Sequence, residues 1–381
     1  MAFSMSRFYR KFCTQTSTEP LPSLRLRVQN LFKESNLSKV VSDFKQLSET
    51  SQFRGKQRVY EHTVLRLASA KKFSEVNDIL DHHKKYEDIT REGFTSRLIS
   101  LYGKAGMVDN AYKLFDEMSQ LKCERSVKSF NAVLQAYVQG KEFSKVEKLF
   151  REVPARLGIA PDRRSYNVLA RALCEMKNME SAEGLLDEMV SKGVQPDLIT
   201  YNTIMHGFYS DGRFVDGERI WGRMEKSGVA PDMVSFNSKL AGLIRLRKIG
   251  EAQKLLKELK KRGKDANVIT YNTLITWFCN EGDLDKAKAI YDCMVKDGCA
   301  PNGATFRNLI PSLCKKGDFD LVAKLREKSE GLHRHIDLRI LQNVVNGLVK
   351  ESKVEEAEKL VEIIQSKSNG RSVVKMPAKV E

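Results

Sequence analysis

Apolar residues in this chain recur at spacings of three and four within short stretches, and the stretches themselves return about every 35 residues. The run GVQPDLITYNTIMHGF, Gly193 to Phe208, sets the phase. Pro231, Asp232, Phe236 and Asn237 repeat Pro196, Asp197, Tyr201 and Asn202, and Pro301, Asn302 and Phe306 repeat them again two steps later. Spacings of three and four predict helices, and a fixed period of this length predicts stacked supersecondary units that bury their apolar faces on one another. The expected fold class is all-α, a solenoid of helix-turn-helix repeats.

The frame can be followed through residues 57–91, 92–126, 127–162 (one residue longer), 163–197, 198–232, 233–267, 268–302 and 303–337, with a degenerate capping copy at 338–372. Residues 14–56 form a leader and degenerate cap with one periodic segment, Leu37 to Leu47. Each frame reads as a helical hairpin. A hydroxyl residue at the third position (Ser129, Ser165, Thr200, Ser235, Thr270, Thr305) is expected to cap the first helix, and an aromatic follows it (Phe130, Tyr166, Tyr201, Phe236, Tyr271, Phe306). Gly106, Gly212, Gly282 and Gly317 share the position where that helix should end in a left-handed turn. In the second helix Ala111, Ala182, Ala252 and Ala287 are placed to press on the first, and Met118, Met189, Met224 and Met294 complete its apolar stripe. Gly193, Gly228, Gly263 and Gly298 then stop it, and Pro196, Pro231 and Pro301 keep the connection extended.

Composition narrows the possibilities further. The sequence holds 65 basic and 49 acidic residues, a net charge of +16, which suits a polyanionic partner. No run of about eighteen apolar residues is present to span a membrane. The opening MAFSMSRFYRKFCTQTST carries Arg7, Arg10 and Lys11 among hydroxyl and aromatic residues, with no acidic residue before Glu19. That composition predicts an organellar transit peptide at 1–13, mitochondrial in the first instance and chloroplast as the alternative. Seven cysteines with no C-x-x-C pair argue against a disulfide framework or a zinc site. Cys174, Cys279 and Cys314 share one inward position and read as packing residues, and the histidine spacings do not place two ligands on one helical face. No metal, cofactor or small-molecule substrate is expected.

The KAG-like turn at Lys104 to Gly106, the helix ends Asp116 to Met118 and Asp187 to Met189, the G-x-x-P-D tail and the TYNTLI entry at Thr270 to Ile275 together resemble pentatricopeptide repeats of the plant organellar type. The resemblance covers roughly 57–337. Tetratricopeptide repeats, which are close in length and would imply a peptide-binding scaffold, lack the Pro-Asp tail joined to an Asn-bearing helix start.

The resemblance implies a right-handed superhelix that binds single-stranded RNA, one base per repeat. The fifth residue of each frame would face the base and the last residue would support it. An Asn amide offers the donor and acceptor that match uracil, and a neighbouring Asp can fix which way the amide points. Asn at both positions would remove that bias and admit either pyrimidine. By this implication Asn131 with Asp162, Asn167 with Asp197, and Asn202 with Asp232 read uracil, while Asn237 with Asn267 and Asn272 with Asn302 read a pyrimidine. Read N to C along RNA running 5′ to 3′, as the resemblance implies, the tract would be U-U-U-Y-Y. The second-position residues Ile199, Val234 and Ile269 would wedge against bases, with Lys128 and Arg164 stacking or gripping phosphate instead. Ser96 with Ser126 is a weak purine candidate, and neither Glu61 with Arg91 nor Arg307 with Asp337 fits the code.

A code this short carries little information. The array resembles two groups within the family, which implies one of two roles: a factor in mitochondrial RNA metabolism or translation, or a structural component of the mitochondrial ribosome with ribosomal proteins as further partners. Neither a deaminase H-x-E with paired C-x-x-C ligands nor an acidic nuclease domain is present, so no enzyme is expected. Residues 373–381 read as a disordered basic tail. Lys260, Lys261, Arg262 and Lys264 form the densest basic cluster, at a helix C-terminus where the helix dipole favours cations.

Overall fold

A computed structural model of the chain describes residues 23–261, 265–319, 321–322, 324–325, 338–366 and 374–377. The expected leader at 1–13, the partner position Asp337 and the side chains of the 260–264 basic cluster lie outside the described residues. All the regular structure among the described residues is helical. The first three helices are α1 (Leu24–Lys33), α2 (Leu37–Ser48) and α3 (Ser51–Arg54). Hairpins follow: α4 (Gln57–Ser69) with α5 (Phe73–Asp81), α6 (Glu92–Lys104) with α7 (Val108–Glu117), α8 (Val127–Gln139) with α9 (Phe143–Leu157), and α10 (Arg163–Glu175) with α11 (Met179–Ser191). They continue as α12 (Leu198–Ser210) with α13 (Phe214–Lys226), α14 (Met233–Arg245) with α15 (Ile249–Lys261), α16 (Val268–Asn280) with α17 (Leu284–Lys296), then α18 (Gly303–Lys315), and finally α19 (Leu338–Lys350) with α20 (Val354–Ser366). The chain divides into two compact units, Met1–Ala172 and Leu173–Glu381.

Packing follows the apolar pattern. The fourth-position aromatics from Phe130 to Phe306 are all buried, as are Ala111, Ala182, Ala252 and Ala287 and the methionines that close the second helices. Each hairpin thus buries large residues of its first helix against small ones of its second, the interdigitation that dense cores need. In the first unit, α6 and α8 come so close at Gly103 that a Cβ there would lie 2.5 Å from the Ala136 backbone. Turns between the two helices of a hairpin pass through left-handed geometry, with φ of 76° at Gly106 and 81° at Gly212.

The expected N-cap is corrected by one turn's worth of register. The capping residue is the last of the preceding frame, not the third-position hydroxyl: Asp197, Asp232, Asn267 and Asn302 sit in extended backbone before α12, α14, α16 and α18 and accept from the third residue's amide. The hydroxyls of Thr200, Ser235, Thr270 and Thr305 are the N3 partners of reciprocal capping boxes, each accepting from the cap residue's own N–H at 3.1–3.2 Å.

Charge is partitioned between the two kinds of helix. From α8 onward, Glu175 is the single acidic residue on the first helices α8, α10, α12, α14, α16, α18 and α19, and α12 and α16 carry no charged residue. Acidic side chains gather on the second helices instead. In the second unit, Glu180, Glu183 and Asp187 of α11 face Arg213, Arg219 and Arg223 at or on α13, at 2.5–2.6 Å. Exposed pairs of this kind add little to stability. With the carboxylates on the second helices, these first helices are left nearly free of acidic residues.

Two regions were not legible as structure. His83 is fully buried beside Phe44 and Tyr60, with Tyr60 Oη donating to Nε2 at 2.6 Å while Nδ1–H donates to the Ile79 carbonyl at 2.8 Å. Burial pushes its pKa down to about 4, so it serves as a neutral core residue. At the other end, residues 374–377, expected as disordered tail, are packed. Val374 is fully buried in the core of the last hairpins, and the Lys375 N–H and C=O bond the Gln342 side chain at 3.0 and 2.8 Å.

Candidate nucleic-acid interface

The fifth residue of each frame lies on the first turn and a half of its first helix, one residue after the buried aromatic, where the following helix's cap comes within reach. In the first unit, Asn131 Nδ2 donates to Asp162 Oδ1 at 3.0 Å, and the Ser165 hydroxyl donates to Asn131 Oδ1 at 2.6 Å. The second unit repeats this three times. Asn202 bonds Asp232 at 3.0 Å and Ser235 at 2.6 Å; Asn237 bonds Asn267 at 3.2 Å and Thr270 at 2.7 Å; Asn272 bonds Asn302 at 3.2 Å and Thr305 at 2.7 Å. Asn167 is half-buried on α10, and Asp197 caps α12 through Thr200 at 3.0 Å.

An Asn amide has two N–H groups and an oxygen with two lone pairs. Here the cap takes one N–H and the hydroxyl fills one lone pair. What remains is one donor and one acceptor held in fixed orientation. Asn131, Asn202 and Asn237 are 5%, 8% and 8% exposed, so only the edge of each amide is accessible. This corrects the expectation that a second Asn leaves the amide free to turn. The Asn237 amide is oriented by the Thr270 hydroxyl just as Asn202 is by Ser235, whatever residue occupies the last position. Asn267 is itself oriented, because its Oδ1 accepts from the Ile269 and Thr270 amides at 3.0 and 3.1 Å. Its Nδ2 therefore stands where Asp232 has its second carboxylate oxygen. The difference between the two kinds of pair is a donor against an anionic acceptor at that one atom.

Partial burial raises the pKa of Asp162 and Asp232, but the bonds they accept from Asn131 and Ser165, and from Ser235 and Asn202, outweigh it and hold both below the ordinary aspartate value. Both are anionic at neutral pH. The second-position aliphatics stand clear of the core, with Ile199 61%, Val234 53% and Ile269 59% exposed, while Lys128 and Arg164 are exposed cations at the same register. Exposed Ile and Val at one repeated position, beside half-spent amides, give apolar contact and a hydrogen-bonding edge together. Ser96 and Ser126 do not form such a pair, since Ser96 Oγ is buried without a hydrogen-bond partner. No cluster of three or more His, Cys, Asp or Glu that could hold a metal occurs among the described residues.

Comparison with known proteins bears on the family of the repeats that carry these residues. The profile described as the PPR repeat family matches residues 161–210, 196–245 and 266–315, that of the PPR repeat matches 96–123, 234–263 and 342–368, and that of the pentatricopeptide repeat domain matches 113–176. Together these cover more than half of the chain. The chain belongs to the pentatricopeptide repeat family. The match at 342–368 places a pentatricopeptide repeat within the copy that reads as degenerate. Small ribosomal subunit protein mS78 of Arabidopsis thaliana is 50% identical over 160 residues, 42% of this chain and 40% of the relative. A mitochondrial pentatricopeptide repeat-containing protein of the same plant, At2g18520, is 35% identical over 196 residues, 49% of this chain and 47% of the relative. The matched part thus spans less than half the length of either relative. The crystal structure of the maize pentatricopeptide repeat protein PPR10 is 18% identical, with a TM-score of 0.44 covering 91% of this chain and 59% of that one.

The cap and the hydroxyl should separate in a stability experiment. Asp232→Asn retains a good N-cap and is expected to change the unfolding free energy at pH 7 by less than about 0.5 kcal/mol. Ser235→Ala, which strands the Asn202 oxygen and breaks the box, is expected to cost about 1–2 kcal/mol. Urea unfolding of the two variants checks the order. Because the Asp232 pKa is lowered in the folded state, its contribution is complete above the ordinary value near 3.8 and is lost as pH falls through the folded one. Asp232→Asn should therefore flatten the acid limb of the stability curve.

Proposed function

We propose that the chain is a non-enzymatic, single-stranded RNA-binding protein of the mitochondrion, contacting a short pyrimidine-rich tract one base per repeat. The observation that supports this most is the recurring Asn amide with one donor and one acceptor left over, next to an exposed second-position aliphatic, on first helices almost without acidic residues. Uracil presents a donor at N3 and acceptors beside it, which such an amide complements, and the aliphatic supplies contact to a base face. In repeat order, the fifth and last positions give U-U-U-Y-Y, the two Asn–Asn pairs being assigned to either pyrimidine because their last residue presents a donor where Asp presents an anionic acceptor. Lys128 and Arg164 suit phosphate at the start of that tract. The mitochondrial assignment is supported by the basic, acid-free opening of the sequence and by the mitochondrial relative.

A second reading is favoured by the 50% identity to a small ribosomal subunit protein. In it the protein is a structural component of the mitochondrial ribosome, seated on rRNA with ribosomal proteins beside it. A five-letter pyrimidine code is poor at finding one transcript, but it is sufficient where assembly holds the RNA in place.

Purified protein is expected to bind U-U-U-Y-Y RNA at least tenfold more tightly than a purine RNA of equal length, since each good base contact is worth about 1–3 kcal/mol. Binding should also weaken steeply with salt. Equal affinity for the two RNAs would overturn the base-reading part. Density-gradient sedimentation of mitochondrial lysate decides between the roles: a ribosomal component travels with the small subunit in stoichiometric amount in moderate salt, whereas recovery only at the top of the gradient rules that role out.

A further inference from the structure

The repeat at 92–126 departs from its neighbours in three linked ways. Its last residue, Ser126, caps α8 in a reciprocal box with Ser129 and accepts from the Lys128 amide at 3.1 Å, but here the carboxylate of Glu92, the first residue of α6, is a further acceptor for the Ser129 amide at 3.0 Å. The same Glu92 Oε1 accepts from the Ser126 amide at 2.9 Å, and the Ser126 hydroxyl lies 2.7 and 2.9 Å from its two oxygens. The Ser129 hydroxyl, which in the next repeats would donate to a fifth-position amide, donates instead to the Ser126 carbonyl at 3.1 Å. The fifth residue, Ser96, is thereby left out, buried with its Oγ unpartnered. The second position is Gly93, so no side chain stands ready to meet a base. The Lys128 ammonium reaches back to within 3.0 Å of where a Cβ on Gly93 would be.

We infer that Glu92 sets the start of the RNA register: its carboxylate joins the capping contacts that the last residue makes without it elsewhere, closes the repeat at 92–126 to bases, and makes Asn131 the first reading position. The physical logic is one of reach. Glu92 lies one helical turn before the fifth position on the same face, and its longer side chain meets the same cap amides. It brings a full negative charge with no donor to a place where a reading repeat offers a neutral amide with both. A base edge gains no donor there, and a phosphate nearby is repelled. Since most of the carboxylate's bonds are to the α8 cap, the closure is built into the helix start. This rests on the RNA-binding reading above.

The test is to graft a reading repeat onto the closed one. Glu92→Val, Ser96→Asn and Ser126→Asp in the full-length chain would install the combination found at Leu198, Asn202 and Asp232 in chemical kind. Binding is measured for wild type and graft with two RNAs that share U-U-U-Y-Y and differ only in the nucleotide on its 5′ side, uracil or adenine. Wild type is expected to bind both equally, and the graft to prefer the 5′-uracil RNA about tenfold, the effect of one base contact. Wild-type discrimination at that nucleotide overturns the inference. So does a graft that binds the shared tract like wild type but shows no new preference. Should the graft fail to fold, a ribonuclease footprint of the wild-type complex decides instead: protection beginning at the base opposite Asn131 supports closure, and protection one nucleotide further 5′ contradicts it. Wild type that binds neither RNA would be the failure of the RNA-binding reading itself, a distinct result.

Discussion

The hydrogen bond from a third-position hydroxyl to the fifth-position amide of the preceding repeat is the contact on which this protein most depends. It joins three requirements in one place. The hydroxyl receives the cap residue's N–H and so closes the helix start. Its own proton goes to an Asn oxygen one repeat earlier, at 2.6 Å for Ser235 and Asn202. That single proton cannot be given twice, so the 3.0 Å approach of the same hydroxyl to Asp232 Oδ1 is a consequence of the ring's geometry. Repeat-to-repeat stacking, helix initiation and the orientation of the candidate reading group are therefore one network. Loss of the hydroxyl would disturb all three.

This coupling explains how so short a motif can be both structural and chemical. A reading group on a long, free side chain would lose rotamer entropy on each contact, of order 1 kcal/mol. Here the loss is met at folding, because Asn131, Asn202 and Asn237 are already nearly buried and bonded. The charge partition serves the same end. Carboxylates sit on the second helices, where those of α11 meet arginines of α13, and the capping Asp carboxylates are tied to amides and hydroxyls. The first helices are left neutral or basic.

The hairpins were legible because glycine and proline punctuate them at fixed intervals and because aromatic, alanine and methionine positions repeat in phase. The cap was misplaced for an identifiable reason. Serine and threonine are good N-caps in isolation, but Asp-x-x-Thr and Asn-x-x-Thr also carry the spacing of a reciprocal capping box, and the Asp or Asn takes the cap while the hydroxyl takes N3. That signal was present at Asp197 and Thr200 and again at Asn267 and Thr270. The closing role of Glu92 had no local signal, since its partners lie 34 and 37 residues away and look like an ordinary serine cap. Val374 was hidden too: a single apolar residue in a polar, basic stretch has no periodicity to betray its burial. His83 belongs to no repeated pattern, and only its aromatic surroundings show that its neutral ring is a core hydrogen-bonding group.

Amide, hydroxyl and cap act as a unit, and a double-mutant cycle measures that directly. Asn202→Ala, Ser235→Ala and the double variant are compared with wild type by equilibrium urea unfolding. A linked network predicts that the double variant loses about 1 kcal/mol less than the sum of the singles, because the second change removes a partner that the first has already stranded. Losses that simply add would contradict it, and would mean that Asn202 and Ser235 act independently.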